Sequence, residues 1–140
     1  MIDRLVLADG LRAQIAREAE ESFPRECCGL IEGTVAGGGA QALALHPCTN
    51  LATEPDRFEI DPQDHIRLLR QLRGGPRRLI GCYHSHPNGQ AAASARDAAG
   101  ANEEDFVWLI QAVGGDGAAE LAAFVFAQNR FHALCVAKIP

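Results

Sequence analysis

An uninterrupted apolar run, Leu79–Tyr83, limits the folds open to this chain more than any other part of its sequence. Strands that are apolar at every position are buried on both faces, as in sheets that helices cover on both sides. Two helical patterns can supply that cover. One begins at Asp9, a candidate N-cap, and the other at Asp61, a candidate N-cap followed by Pro62. We therefore expect an α/β fold, a mixed sheet with helices packed on its faces.

Three more apolar segments end the sequence, and short turns of glycine and polar residues separate them. These segments cover 106–113, 118–127 and 131–137. Strands joined by such short connections are antiparallel neighbours, so we expect a meander. Earlier short strands are expected at 2–8, 27–31 and 41–45. The polar connection 47–61, with at most a short strand at 57–60, is long for a compact domain, which favours a binding role for it.

Length and composition fit one globular domain that spans residues 1–140. Apolar residues make up 47% of the chain and charged residues 22%, an ordinary balance for a folded protein. The net charge of −5 lacks the basic footprint of a nucleic-acid binder, so no nucleic-acid partner is expected. The longest apolar run near the C-terminus, Leu121–Ala127, is far short of the ~20 residues of a spanning helix, so no membrane span is expected.

Cysteine usage indicates a reducing compartment. The chain has five cysteines, an odd number, and no Cys-x-x-Cys pair. Asp3 and Arg4 interrupt the apolar start, so no signal peptide is expected. Reduced thiols and a cytoplasmic location fit these features best.

The second expected helix combines an apolar stripe with a concentration of arginines. Ile66, Leu69 and Leu72 have the spacing of its buried stripe. Five arginines lie on the helix and on the turn after it: Arg67, Arg70, Arg73, Arg77 and Arg78. They are interpreted first as a solvated face, and second as a docking patch for an acidic partner protein.

The residues suited to catalysis follow the central apolar run directly. His84 and His86 are two residues apart, and such side chains point to the same side of an extended chain. Imidazole is a usual ligand of zinc, so both side chains can bind one ion. We expect residues 84–93 to form a loop at the end of the central strand, where functional sites are common.

A third ligand has to come from elsewhere, and Asp97 is the best candidate. Ser94 can cap a short helix that carries Asp97, and positions i and i+3 share a helix face. The connection 87–93 is long enough to bring that face back over the strand end. Two histidines, one carboxylate and a water form a catalytic zinc site. Ser94 would lie beside the metal, where its hydroxyl can donate to a developing oxyanion.

Cys82 is a competing ligand, because it shares a strand face with both histidines. On a straight strand, however, Cys82 and His86 are ~13 Å apart at ~3.3 Å per residue. Only a sharp bend would bring all three side chains to one ion. We expect Cys82 to be a small buried residue beneath the site instead.

Metal-assisted hydrolysis also needs a base for the attacking water, and Glu26 is our choice. It lies just before the expected strand 27–31, which can bring it near the histidines. Composition alone does not select Glu26 over Glu32, Glu54 or Glu59. A single glutamate is most often a solvated surface charge.

Two segments, Glu26-Cys27-Cys28-Gly29-Leu30 and His84-Ser85-His86-Pro87, together with Ser94 and Asp97, resemble the JAMM (MPN+) metalloprotease motif. The family pattern is a glutamate in an early strand, then H-[ST]-H-P, seven residues from the second histidine to a serine, and an aspartate three further on. Seven residues separate His86 from Ser94, and Asp97 follows at the right interval. Every element of the motif is present.

The resemblance implies a single JAB/MPN domain, a cytidine-deaminase-like mixed sheet flanked by helices. It implies Zn²⁺ as cofactor, with His84, His86 and Asp97 as ligands, Glu26 as catalytic base and Ser94 as oxyanion helper. Members of the family hydrolyse peptide or isopeptide bonds at the C-terminal tail of a ubiquitin-like protein. The chain is most similar to small bacterial members, some of which trim ubiquitin-like sulfur-carrier proteins to expose a terminal Gly-Gly. Such a tail is the expected partner.

Two alternatives come from other functional classes. An MPN domain can persist as a catalytically silent scaffold that binds a partner protein, although silent relatives usually lose ligands and this chain has lost none. A zinc deaminase often shares the broad fold, but its chemistry uses H-x-E with P-C-x-x-C, and neither pattern occurs here.

The remaining histidines and two adjacent cysteines are interpreted as structural. His46, His65 and His132 are expected to be structural or exposed rather than metal ligands. Cys27 and Cys28 suggest a thiol nucleophile, but with a complete metal motif nearby we expect them to pack in the core beside Glu26.

Overall fold

The computed structural model describes residues 1–138. Within this range the chain forms eight strands and three helices. They are β1 (Arg4–Val6), α1 (Asp9–Ser22), β2 (Cys28–Ala36), β3 (Gly39–Cys48), α2 (Pro62–Leu72), β4 (Arg78–His86), α3 (Ala95–Gly100), β5 (Phe106–Gly114), β6 (Gly117–Ala127), β7 (Arg130–Ala133) and β8 (Cys135–Ala137). In place of a strand at 57–60, a single bridge joins Asn50 to Ile60. None of the helices in the described range is long and apolar enough to cross a membrane.

The strands form one mixed sheet with β4 near its centre. The order across the sheet is β7-β6-β5-β4-β2-β3-β1-β8. β4 pairs parallel with β5 and antiparallel with β2. Every residue from Leu79 to His86 is buried, as the apolar run predicts. Since α1 packs on β4, β5 and β6 while α2 packs on β4, the expected α/β fold with a mixed sheet and flanking helices is confirmed.

The sheet curls until its two edges come together. β7 and β8 lie at opposite ends of the strand order, yet only Leu134 separates them in the chain. One residue spans ~3.3 Å, so the two edges meet at that point. The single strand expected at 131–137 is therefore wrong, because β7 pairs with β6 whereas β8 pairs with β1. The antiparallel meander of β5, β6 and β7 is confirmed.

Two apolar clusters lie on the two faces of the central strands. One cluster contains Ile15 of α1, and the other contains Leu68 of α2. Neighbouring residues of each strand join opposite clusters: Leu30 and Ile31, Cys82 and Tyr83, Trp108 and Leu109. This alternation is the period-two pattern of a strand. His84 and His86 lie two and four residues after Cys82 in β4, so they face the α2 side of the sheet.

Tyr83 explains the glycine in the first motif segment. A Cβ atom on Gly29 would lie 2.3 Å from Cζ of Tyr83. The Tyr83 ring is fully buried, and its hydroxyl donates to Oε1 of Glu18 at 2.7 Å. The ring cannot move aside without losing this hydrogen bond, so it leaves no room for a side chain at position 29. Glycine at that position lets β2 lie close to β4 beside Tyr83 and the residues that follow it.

The two expected N-caps have different outcomes. Asp61 caps α2 as expected, since its Oδ1 accepts from the backbone N–H of Gln63 at 2.9 Å. Asp9 is instead the first residue of α1, and Ala8 occupies the N-cap position without a side-chain hydrogen bond. A carboxylate in the first turn still interacts favourably with the helix dipole.

The buried stripe of α2 differs from the expected one. Leu68 is 2% exposed, whereas Ile66 and Leu69 are 48% and 49% exposed. Successive helical residues are ~100° apart, and α2 packs on the sheet through Leu68 and Leu72, which turns Ile66 and Leu69 outward. Two stripes with helical spacing compete in this segment, so spacing alone could not choose between them.

The arginines around α2 are all exposed, which fits a solvated face. Arg67 donates to Asp64 at 2.9 Å, and Arg77 donates to Glu32 at 3.1 Å. An ion pair on the helix surface such as Arg67–Asp64 contributes little to stability, whereas Arg77 meets a buried carboxylate at Glu32. The docking of an acidic partner at this patch stays a prediction.

Candidate metal centre

β4 carries both motif histidines, because the strand is longer than its apolar run. His84, Ser85 and His86 belong to β4 and pair with β5 as far as Ala112. The loop expected from His84 therefore begins only after His86. Side chains two apart on a strand share a face, so His84 and His86 point together toward the α2 side.

The side chains of three potential ligand residues form a tight triangle. The Nε2 atoms of His84 and His86 lie 3.1 Å apart. Oδ1 of Asp97 is 3.0 Å from Nε2 of His84, and Oδ2 is 3.2 Å from Nε2 of His86. Donor atoms at ~2.0–2.1 Å from a tetrahedral zinc are ~3.3 Å from each other. Both the spacing and the donor types of this triad therefore fit a metal ion such as zinc.

Helix α3 fixes the carboxylate through a capping box. Oγ of Ser94 accepts from the backbone N–H of Asp97 at 3.0 Å, and the backbone N–H of Ser94 donates to Oδ2 of Asp97 at 2.8 Å. The expected cap at Ser94 is confirmed. Because the same carboxylate contacts both histidines, the start of α3 is tied directly to the end of β4.

Neighbouring groups hold the two imidazoles in place. Nδ1 of His86 lies 3.1 Å from the carbonyl oxygen of Gln90. A carbonyl only accepts, so Nδ1 carries a proton, and Nε2 faces Asp97, where it would offer a lone pair to a metal once its own proton is lost. His84 stacks on Phe58 with ring centroids 4.4 Å apart and meets Trp108 edge-on at 5.9 Å. Its Nδ1 is buried without a hydrogen-bond partner among residues 1–138, so packing holds this ring.

The electrostatics of the triad suit a cation. Burial acts to raise the pKa of Asp97, but hydrogen bonds from His84 and His86 together hold that pKa well below its usual value. Burial lowers the pKa of His84. Burial also acts to lower the pKa of His86, yet the hydrogen bond and charge of Asp97 raise it. The centre thus combines the ionised carboxylate of Asp97 with the neutral imidazole of His84, both in the state that binds metal, while His86 would release its extra proton when a metal binds.

Cys82 lies beneath the triad rather than in it. Within residues 1–138 the converging set of ligand atoms contains His84, His86 and Asp97. Cys82 packs in the apolar cluster with Trp108. Burial raises the pKa of its thiol well above the ordinary value, so the thiol stays protonated. These observations agree with the expected role of Cys82 as a small buried residue.

Glu26 reaches the site because β2 starts beside the end of β4. Ser85 clamps the two chains together: its N–H donates to the carbonyl of Cys27 at 3.1 Å, and its Oγ accepts from the N–H of Cys27 at 2.8 Å. Glu26 directly precedes Cys27 in the chain, so it lies beside the end of β4. The residue is 6% exposed and lines a cleft of about 570 Å³ together with His86 and Ser94.

Burial gives Glu26 the acidity of a group that titrates near neutrality. It raises the pKa of Glu26 to about 7, while His86 acts to lower that pKa and Asp97 to raise it. A carboxylate with a raised pKa is a stronger base than an exposed glutamate. Shifts of this kind, in a cleft, are typical of catalytic acids and bases.

The other candidate bases lie elsewhere. Glu32 pairs with His46 at 2.8 Å and with Arg77 at 3.1 Å. Glu54 and Glu59 are exposed on the connection before α2. Of the four glutamates, the structure therefore brings Glu26 beside the triad and Ser94. Composition alone could not distinguish it from the other three.

Two polar residues that sequence reasoning passed over also shape the site. Ser85 is the clamp described above, and its place between the motif histidines was the available signal. Asn50 donates from Nδ2 to the carbonyls of Glu26 at 3.0 Å and Arg57 at 3.1 Å, while its Oδ1 accepts from the N–H of Glu59 at 3.0 Å. It joins the 47–61 connection to the candidate base, and nothing in the sequence distinguished it from other polar residues there.

Most histidines outside the motif have structural partners. His46 pairs with Glu32, and Nε2 of His132 lies 3.0 Å from the carbonyl oxygen of Ala127. His65 is half-buried on α2 and is not part of the converging ligand set of the described residues. None of the three joins the triad, in agreement with the expectation from the sequence.

Cys27 and Cys28 are buried free thiols. Burial raises the pKa of Cys27 to about 11 and raises the pKa of Cys28 further still. A thiol nucleophile needs a lowered pKa, so neither residue has the character of a reactive cysteine. Their positions agree with core packing beside Glu26.

A family comparison decides the relationship suggested by this geometry. The model of prokaryotic homologs of the JAB domain matches residues 8–126. The chain belongs to the prokaryotic JAB domain family. Its matched span contains Glu26, His84, His86, Ser94 and Asp97, so the resemblance drawn from the motif is confirmed. As a JAB domain, the protein presents a His-His-Asp triad that could bind a metal ion.

Individual relatives agree with the family. The desampylase of Haloferax volcanii is 31% identical in an alignment of 139 positions that covers 96% of each chain. A Desulfitobacterium hafniense protein of known solution structure has a TM-score of 0.84 at 22% identity, over 96% of this chain and 92% of that one. A Salinibacter ruber protein has a TM-score of 0.72 at 28% identity, over 96% and 90%. These structures share the fold of this JAB domain.

Proposed function

We propose that this JAB-domain protein is a zinc-dependent peptidase or isopeptidase that cleaves the amide bond after the C-terminal Gly-Gly of a ubiquitin-like sulfur-carrier protein. The observation that carries the proposal is the triangle of His84, His86 and Asp97 next to a buried Glu26, which lines one cleft together with His86 and Ser94. A relative named desampylase, similar along nearly the whole chain, supports action on ubiquitin-like conjugates.

The triad His84, His86 and Asp97 holds the zinc ion in this proposal. Zinc, when bound, polarises the scissile carbonyl and makes water more acidic. The capping box of α3 and the carbonyl of Gln90 keep the ligand atoms aimed at one point, which limits the reorganisation needed to bind the ion.

Glu26 is the general base and Ser94 the oxyanion donor. Glu26 takes a proton from the attacking water and gives it to the leaving nitrogen, and a pKa of about 7 suits both transfers. Ser94 is exposed to the same cleft. Because its Oγ accepts from the N–H of Asp97, its own proton is free to donate to the carbonyl oxygen as negative charge develops there.

The walls of the cleft favour a slender tail. Pro24, Pro55 and Pro87 all line it. Proline rings are rigid and lack a backbone N–H, so these three residues give the cleft fixed, apolar sections of wall. In this proposal the extended Gly-Gly tail, which has no side chains, lies along them.

A cleavage assay tests the proposal. Sulfur-carrier proteins from the same organism are extended beyond Gly-Gly by a short peptide, or joined through Gly-Gly to a lysine side chain. We expect the zinc-loaded protein to release the carrier with its terminal Gly-Gly intact, as read by mass spectrometry. EDTA should abolish the reaction and zinc should restore it.

Carriers whose Gly-Gly is replaced by two valines serve as the matched control and should stay uncut. If zinc-loaded protein leaves both linkages uncut across several carriers, the proposed function is wrong.

A further inference from the structure

Arg96 stands between two proposed functional residues, Ser94 and Asp97, on the short helix α3. Its side chain is half-exposed and lines the cleft of about 570 Å³ that also contains Glu26 and Ser94. It also lines the adjoining cleft of about 230 Å³, again with Glu26 and Ser94. A guanidinium therefore faces the space that the substrate would fill.

Asp56 contacts only one nitrogen atom of this guanidinium. NH1 of Arg96 donates to Oδ2 of Asp56 at 2.7 Å, and this is the one hydrogen bond of the Arg96 side chain within residues 1–138. The planar guanidinium has further N–H donors arranged to bind a carboxylate. Arg96 can thus keep its contact with Asp56 and bind a second anion on its free edge.

The position of Glu26 indicates which part of the substrate meets Arg96. Glu26 delivers the proton to the leaving nitrogen, so the leaving group lies on the Glu26 side of the scissile bond. Glu26 and Arg96 line the same cleft, so the atoms beyond that nitrogen enter the space beside the guanidinium. Glu26 and Asp56 line the same cleft and would repel an anion, whereas the guanidinium of Arg96 attracts it.

We propose that Arg96 binds the free α-carboxylate of a short leaving peptide, and that this contact makes the protein prefer trimming of C-terminal extensions. A lysine released from an isopeptide is embedded in its own chain and offers no such carboxylate. This inference rests on the proposed function and names the class of leaving group within it.

The test compares two substrates that differ by one group. A carrier ending in Gly-Gly is extended by the same short peptide, either with a free carboxylate or as the C-terminal amide. We expect kcat/KM to be about 10- to 100-fold higher for the acid, the range that a charge-assisted hydrogen bond supplies. In Arg96→Gln this ratio should fall to about one.

Arg130→Gln is the matched control, since Arg130 is exposed on β7 and lines neither cleft, and it should retain the preference. Equal rates for acid and amide in the wild type would overturn the inference without any variant. So would an Arg96→Gln protein that slows both substrates equally and keeps their ratio. Failure to cut either substrate would overturn the proposed function itself.

Discussion

Replacement of Glu26 by glutamine is expected to slow hydrolysis about 10²–10⁴-fold while zinc stays bound. Glutamine has nearly the same shape, but it cannot accept the proton of the attacking water or pass a proton to the leaving nitrogen. The residue is not part of the His-His-Asp triad, so metal content should not change. Single-turnover rates and zinc content, measured on the same samples, check both statements.

Glu54→Gln is the matched control, because Glu54 is exposed outside the candidate site. It should hydrolyse substrate at the wild-type rate. A Glu26→Gln protein as active as the wild type would remove Glu26 from the mechanism. If the protein were a silent scaffold, neither variant would differ measurably from the wild type, and partner binding would be the property to study.

Ser94→Ala is expected to lower kcat about 10²–10³-fold, the usual effect of removing one oxyanion donor. The same change removes an N-cap, which destabilises a helix by about 1 kcal/mol. Since α3 also carries Asp97, a weaker cap could disturb the metal site as well. We therefore measure kcat of the variant at saturating zinc to detect the loss of the donor, and its thermal unfolding to detect the loss of the cap.

Two further substitutions separate the two roles of Ser94. Ser94→Thr keeps both the hydroxyl and the cap and should retain most of the activity. Ser94→Gly costs an N-cap only a few tenths of a kcal/mol but removes the side-chain donor, so it should be as slow as Ser94→Ala. Wild-type kcat in Ser94→Gly would exclude Ser94 as an oxyanion donor.

The parts of the fold that local sequence determines were predictable. The run Leu79–Tyr83 indicated a central strand because apolar residues at every position have to be buried on both faces. Asp61 and Ser94 were predictable as caps because a short polar side chain before a helix satisfies an exposed N–H. The i, i+3 spacing of Ser94 and Asp97 correctly placed both at the start of one helix.

Features that depend on distant partners were not predictable. β4 extends to His86 because β5 offers hydrogen bonds to that point, although the local sequence is polar. The chain breaks at Leu134 because the curled sheet places two different partner strands on either side of it. The choice of Glu26 among four glutamates likewise required the contact between Ser85 and Cys27, which are 58 residues apart.

The zinc content of the purified protein, compared with that of Asp97→Asn, tests the central claim most directly. The asparagine keeps a carbonyl oxygen that can accept from the backbone N–H of Ser94, but it removes the charge that draws a cation to the histidines. Asp56→Asn, a change to an exposed carboxylate outside the triad, is the control. We predict one zinc ion per chain in the wild type and in Asp56→Asn, and a large loss in Asp97→Asn. A wild-type protein without zinc after reconstitution, or an Asp97→Asn protein that keeps its zinc, would contradict the account.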